Sequence, residues 1–239
     1  MSNDNSTGYL SSHLAETKKG LGYTRSSYAK KAWLTYGREF PVSRSAAICE
    51  IGPGECEFAE FLRDQQGYQA VRVVDMSPEV VDRATAIGLA ADLTDDTSAW
   101  LGKHLATFDV IVLFHVIEHV PKFATIAFLA AVSRALRPGG VALLETPNMG
   151  DPLNGLYFRY DDFTHEVGFT EGSLRYVFKQ AGFSEVAFLD AYGATSRFGR
   201  PLQKLGRHVL KALLFALNLP NGRQMRRRLG PVLAMRATP

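Results

Sequence analysis

The residues with the clearest chemical meaning lie in Glu50-Ile51-Gly52-Pro53-Gly54-Glu55-Cys56, directly after an apolar run and directly before a helical pattern. Glycines at such a junction let the backbone turn tightly and approach a ligand that a β-carbon would keep away. About twenty residues on, Asp75 closes a second apolar run, where a carboxylate can accept both hydroxyl hydrogens of a ribose. Loop and acid together point to a nucleoside-containing ligand, whereas Gly-x-Gly alone is also what any tight strand-to-helix turn uses. Of the six histidines, His115, His119 and His165 are the candidates to exchange a proton near neutral pH at such a site.

Two nucleoside ligands compete for the loop. A dinucleotide prefers a third glycine three residues after the second, where its pyrophosphate meets the helix N-terminus, and that position is Glu57. A carboxylate repels a pyrophosphate but suits a cationic sulfonium or an α-amino group. Glu55 and Glu57 therefore argue for S-adenosylmethionine (SAM) over NAD.

The elements that must position these residues follow from patterning. AAICEI, VRVVD, FDVIVLF and VALLET are apolar runs bounded by turn residues, as buried parallel strands are. Between them, helices are expected over Glu57–Gln66, Pro78–Ile87 with Ser77 as N-cap, and Ala124–Leu136 before Pro138-Gly139-Gly140. A further helix is expected over Glu171–Ala181, then the strand SEVAFLD and a last short strand in GPVLAMRA. The right-handed crossover rule makes this an α/β fold, a doubly wound, mostly parallel sheet with helices on both faces. Three regions follow: an N-terminal helical lid (1–44), the ligand-binding core (45–190), and a basic helical insertion with a last edge strand (191–239).

With 239 residues and 46% hydrophobic content the chain is sized for one domain. It has no run of eighteen apolar residues, and its polar N-terminus lacks the apolar stretch of a signal peptide, so a cytoplasmic protein is expected. Cys49 and Cys56 fit neither a metal knuckle nor a disulfide framework, and both are read as reduced. The net charge of +3 is unevenly spread: from Ala191 onward there are ten Lys or Arg and no acid, leaving 17 basic against 24 acidic residues before it. Within that basic section Leu202, Leu205, Val209, Leu213 and Leu217 recur at helical spacing.

The glycine loop is similar to motif I of class I SAM-dependent methyltransferases, with the later motifs in the family's order and a seven-stranded sheet implied. Asp75-Met76 resembles the ribose-binding end of strand two, Ala91-Asp92-Leu93 the adenine-contacting segment, and FDVIVLFHVIEHVP strand four with its active-site loop. LRPGGVALLETPN resembles the turn and fifth strand, so the likeness runs from Tyr23 to Asp190. It implies that Glu50 organises the methionine amino group and that Gly52 and Gly54 let the loop pass beneath the methionine moiety. It further implies Asp75 and Met76 at the ribose, Asp92 and Leu93 at adenine, and the backbone of Phe114 and His115 at the amino-acid end. Cys56 departs from the family, which often has glycine there; a small residue implies only a minor adjustment.

Methyl transfer from a sulfonium depends mainly on alignment and desolvation, but a hydroxyl acceptor benefits from a base near neutral pKa. His165 is the expected base, oriented by Glu166 or Asp162, with His119 as a second candidate; the alternatives are a loop histidine capping the next helix and a His119 that shapes the cofactor loop. His115-Val116-Ile117-Glu118-His119 also matches the H-x-x-E-H pattern of some zinc peptidases, which demands a helix; Pro121 opposes one, and no metal is expected. Tyr28 and Tyr36, with Tyr23, Trp33 and Phe40, would stack on a sugar ring from the lid or pack on the domain.

The segment before motif I and Asp161-Asp162-Phe163-Thr164-His165-Glu166 after strand five resemble methyltransferases of bacterial polysaccharide and glycoconjugate biosynthesis, implying O-methylation of a sugar hydroxyl. The alternative acceptor is a small phenol, quinone precursor or secondary metabolite; a SAM-binding scaffold without turnover is the non-enzymatic reading. Residues 200–228 would suit an anionic membrane surface or cover a sheet edge, while Arg226-Arg227-Arg228 alone is too short a cluster to make nucleic acid the partner.

Overall fold

A computed structural model describes residues 25–191, 200–218, 228 and 230–239. Most of the expected lid and of the arginine cluster falls outside these residues. The strands are β1 (Ala47–Ile51), β2 (Ala70–Asp75), β3 (Ala90–Leu93), β4 (Phe108–Phe114), β5 (Leu136–Pro147), β6 (Glu185–Leu189) and β7 (Val232–Thr238). The helices are α1 (Arg25–Tyr36), α2 (Glu57–Asp64), α3 (Pro78–Ala86), α4 (Thr97–Gly102), α5 (Thr125–Ala135), α6 (Gly155–Asp161), α7 (Glu171–Gln180) and α8 (Arg200–Asn218).

The strands form one sheet in the order β3-β2-β1-β4-β5-β7-β6. The first five run parallel, and β7 lies antiparallel between β5 and β6. The last strand is therefore interior rather than at the edge where it was expected. Leu233, Ala234 and Met235 are buried, and only a position with neighbours on both sides satisfies the backbone of such an apolar run.

Alternation along the strands divides the core. Cys49, Val74, Ile111, Leu113 and Leu144 join Leu101 of α4, Leu129 of α5 and Phe178 of α7 on one side. Ile48, Val73, Val110, Val112 and Leu143 join Ala32 and Tyr36 of α1, Phe58 and Leu62 of α2 and Val80 of α3 on the other. This is why the strand sequences read as continuously apolar: each residue meets helices whichever face it takes. No helix among the described residues is long and apolar enough to cross a membrane.

The strand order reverses its direction of growth between β1 and β4, which opens a crevice at their carboxyl ends. Gly52–Cys56, Met76–Ser77, Thr94–Asp96 and the segment following Phe114 all leave the sheet at that end.

Candidate functional site

At the end of β1 the backbone turns through Gly52 and Gly54 at φ of 65° and 54°, a conformation that costs L-residues about 1–2 kcal/mol. A β-carbon on Gly52 would also meet Val116 Cγ2 at 2.8 Å. Cys56, the N-cap of α2, sits at φ 61° as well. The glycine common in the family at this position thus has a backbone reason, and the buried cysteine occupies it against that preference.

Two side-chain oxygens beside this turn are incomplete. Glu50 is 4% exposed; it accepts the Ala59 amide but its Oε2 has no partner. Burial pushes the Glu50 carboxyl up to about 8, and the neighbouring Glu57 adds to the rise. Beyond β2, Asp75 Oδ1 accepts the Ser77 amide at 2.7 Å. Burial raises Asp75 to about 6, held back by the amides of Ser77 and Met76. Ser77 stands at the N-cap of α3, yet its hydroxyl makes no cap bond and is buried without a partner. Buried polar atoms left unpaired cost about 1–3 kcal/mol each, and among the described residues Glu50 Oε2 and Ser77 Oγ are the two found in that state.

A cavity of about 520 Å³ is lined by Met76 and Pro78, the chain neighbours of Ser77, and by Leu93, Thr94, Asp95 and Trp100 among others. It is large enough for a nucleobase and its sugar. Met76 and Leu93 line it as the sequence implied; Asp92 instead pairs with Arg72 at 2.5 Å. The set fits a ribonucleoside bearing a cation: Asp75 and Ser77 for hydroxyls, a cavity of mixed polar and apolar lining for a base, and an incomplete carboxylate at Glu50 for a positive charge.

Across the crevice β4 and β5 carry a network with its partners in place. His115 lies between Glu118 and Glu145, Nδ1 and Nε2 each 3.2 Å from a carboxylate oxygen. Burial alone would lower its pKa, but the two hydrogen-bonded carboxylates outweigh that and hold it at about 10. His115 is therefore an imidazolium and not a base, although 40% of its side chain is exposed. The same pairing draws Glu118 below the usual carboxylate range against its own desolvation. Glu118 also accepts from Thr146 Oγ1 at 3.0 Å, and its backbone carbonyl accepts the amides of Glu166 and Val167. It is the hinge pin between the loop after β4 and the loop after α6.

That second loop brings His165 to His119, ring centroids 4.9 Å apart. His165 Nδ1 is 2.7 Å from the Phe158 carbonyl oxygen, which can only accept, so Nδ1 carries the hydrogen and Nε2 the lone pair. His119 Nδ1 faces the Thr164 carbonyl at 3.3 Å and the Thr164 hydroxyl at 3.0 Å, whose own hydrogen goes to Asp162 at 2.6 Å. Its Nε2 is likewise the lone-pair nitrogen. Burial and the neighbouring His165 lower the pKa of His119.

Several expectations change here. Tyr36, expected at a sugar ring, is fully buried; its hydroxyl donates to the Leu144 carbonyl at 2.8 Å and its ring packs on Phe114 at 4.7 Å. Tyr28 is half-buried and packs against the same core. Glu166 is exposed and does not orient His165; a backbone carbonyl does, while Asp162 Oδ2 lies 3.9 Å from His165 Nε2. Ile117–His119 is one 3-10 turn, not the helix that an H-x-x-E-H zinc site needs. The unpartnered hydroxyl of Ser77 and the central place of Glu118 in the network are not evident from the sequence. The first looks in sequence like an ordinary N-cap, and the second carried signal only through the zinc pattern.

The profile of a family described as "Methyltransferase domain" matches residues 26–187. A Mycolicibacterium smegmatis protein named "Probable S-adenosylmethionine-dependent methyltransferase" is 32% identical over 143 residues, 51% of this chain and 55% of that protein. The chain thus spans about half the length of the curated relative it matches. Among solved structures, a SAM-dependent methyltransferase from Archaeoglobus fulgidus superposes with a TM-score of 0.69 at 17% identity, covering 95% of this chain and all of the other. A SAM-dependent methyltransferase from Thermotoga maritima does so with a TM-score of 0.62 at 16% identity, covering 95% of each. A glycine-turned strand end, an incomplete buried carboxylate, a second buried acid at the end of β2 and a profile spanning most of the described core agree: the chain belongs to the methyltransferase-domain family, with SAM as the cofactor.

Proposed function

We propose that the protein transfers the methyl group of SAM to a hydroxyl oxygen, most suitably that of a sugar in a glycan or glycoconjugate, with His165 as the base. The observation that carries the oxygen acceptor is the pair of Nε2 lone pairs of His119 and His165, fixed by bonds from their Nδ1 atoms. When bound, SAM supplies a methyl group on a sulfonium, whose positive charge is neutralised as the acceptor oxygen displaces the sulfur in line. Glu50 and Ser77 would complete their hydrogen bonding on the cofactor, the carboxylate at its amino group and the hydroxyl beside the ribose held by Asp75. Met76 and Leu93 would flank adenine, with Thr94 and Asp95 rather than the Arg72-paired Asp92 offering it polar atoms. His165 Nε2 would take the acceptor proton, and Asp162 would steady the resulting imidazolium. Phenolic acceptors are the contrasting class in the same assay.

Calorimetric titration with SAM and with NAD tests the cofactor half. Micromolar SAM binding without NAD binding is expected, weakened by about 1–3 kcal/mol in Asp75→Ala; unchanged affinity in that variant removes Asp75 from the site. Incubation with SAM and panels of glycans and phenols tests the acceptor half, and methylation confined to phenols refutes the sugar reading.

The helix α8 supports a location for such an acceptor. Leu205, Val209 and Leu213 recur every fourth residue and are exposed, as is Phe215, while Lys204, Arg207 and Lys211 give the helix positive charge and it has no acid. A cationic helix with an uncovered apolar stripe lies in the interface of an anionic bilayer, where a lipid-linked glycan would be presented. Co-sedimentation with phosphatidylglycerol vesicles but not phosphatidylcholine vesicles is expected, and Val209→Glu with Leu213→Glu should abolish it. Equal sedimentation of wild type and double variant would end the membrane reading.

A further inference from the structure

The two histidines described above share their neighbourhood with a third group able to ligate a metal. One atom each from Glu118, His119 and His165 lie within 4.8 Å of one another. Glu118 Oε1 meets His115 and Oε2 accepts from Thr146, and each carboxylate oxygen carries two lone pairs. We infer that Glu118, His119 and His165 bind one divalent first-row transition-metal ion, in a two-histidine, one-carboxylate arrangement.

The arrangement around these ligands supports this more than their proximity does. Metal-binding histidines almost always donate the second ring N–H to a carbonyl or carboxylate, which fixes the tautomer and aims the free nitrogen. Both histidines are held this way, His165 by the Phe158 carbonyl and His119 by Thr164. Glu118 is itself hydrogen-bonded by His115 and Thr146, as ligating carboxylates are. The loop carrying His165 is tied in turn: its carbonyl accepts from Arg159, and the next two amides bond the Glu118 carbonyl. These ties anchor the loop that brings the third ligand to a rigid strand end.

Bonds of about 2.0–2.2 Å at tetrahedral angles put ligand atoms roughly 3.3–3.5 Å apart, so side-chain rotations of about an ångström close the triad. Two imidazoles and a carboxylate suit zinc, and three protein ligands leave a position open, as in catalytic rather than structural sites. Asp162, 3.9 Å from His165 Nε2, stands where it can ligate or hydrogen-bond what enters that position. This is not the H-x-x-E-H site that the sequence pattern suggested. His115 is consumed between two carboxylates, and its place is taken by a histidine from another loop.

What the ion would do rests on the methyltransferase reading; that it binds does not. In the acceptor pocket it would hold the acceptor's oxygen at the open position and lower its pKa, the hydroxyl proton passing to water. The site would then favour acceptors that can chelate, such as vicinal hydroxyls or a hydroxyl beside a carboxylate. The ion and the proton would compete for the Nε2 of His165.

The test uses the full chain stripped by chelator and dialysed, titrated with Zn²⁺ by calorimetry and with Co²⁺ by visible absorption. One ion per chain is expected, with cobalt bands of a four- or five-coordinate site. His119→Ala and His165→Ala should each weaken binding roughly 10–100-fold or more, by analogy with the loss of even a supporting partner. His104→Ala, whose ring lies on Trp100 away from the triad, should bind as wild type does. SAM affinity of the same preparations reports that each variant is folded. Absence of binding, or binding unchanged in both His119→Ala and His165→Ala, overturns the inference. Methyl transfer by the stripped protein would leave the base reading standing while removing the ion's role, and ion binding without methylation of any acceptor would leave the metal site standing while removing the proposed function.

Discussion

The carboxyl ends of β1 and β2 and those of β4 and β5 face one crevice and treat their buried polar groups in opposite ways. At β1 and β2, Glu50 Oε2 and Ser77 Oγ are sealed from water with nothing to bond. At β4 and β5, Glu118, His115, Glu145 and Thr146 form a network in which each side chain has a partner on the protein. The first arrangement is costly until a ligand arrives; the second sustains itself, and holds His119 and His165 in position whether or not anything is bound. One side leaves its polar groups incomplete, and the other props its histidines from behind.

Exchanging residues between these two roles is the way to break the comparison. The largest effect is expected at the propped side. His165→Ala should lower turnover about 10²–10⁴-fold with SAM affinity unchanged, and a parallel loss of SAM affinity would show that the two regions are not separable. Next comes Glu50→Gln on the incomplete side. It should weaken SAM binding by about 1.5–3 kcal/mol, a charged hydrogen bond, while stabilising the empty protein by about 1–3 kcal/mol at pH 8. The sign follows from linkage: the folded carboxyl titrates at about 8, above its ordinary 4.5. The unfolded chain therefore sheds a proton that the fold retains as pH rises between those values, and stability is lost over that window. The advantage of Glu50→Gln should vanish below about pH 4.5 in thermal melts; a pH-independent difference would mean that Glu50 is not the buried acid described here.

The smallest effect is a proton count. At pH 7 the empty protein holds most of one proton on Glu50, and pairing with a cationic ligand favours its release. Calorimetry in buffers of different ionisation enthalpy should show net proton release on SAM binding at pH 7, fading toward pH 9. Lowering pH through 6 should weaken binding separately, as Asp75 loses the charge that accepts ribose hydroxyls. Proton uptake at pH 7 would contradict both assignments.

How much was legible in the sequence follows the same division. The glycine turn, Glu50 and Asp75 lie where local patterning puts them, at the ends of apolar strands, so spacing along the chain was enough to place them. The helices α2, α3, α5 and α7 were bounded within about two residues by their caps and glycines. The acceptor side depends on contacts between loops far apart in the chain. Nothing in the sequence says that the carbonyl of Phe158 holds His165, because a carbonyl belongs to every residue. Tyr36 showed the limit of composition, since an aromatic residue on a helix suits stacking on a ligand and packing on a core alike. The short α4 and α6 escaped notice because six or seven residues span too little of a helical period.

The place of β7 affects how the chain becomes a folded protein. Because β6 has no hydrogen-bonded contact with β5 except across β7, its edge and the outer edge of β5 stay open until Val232–Thr238 has been made. During synthesis the parallel strands and their cofactor loop can assemble first, while one flank remains a sticky template for other chains. The strand ends proposed to bind SAM precede that flank's last strand in the chain, so cofactor captured early would hold the nascent sheet together until its final wedge arrives.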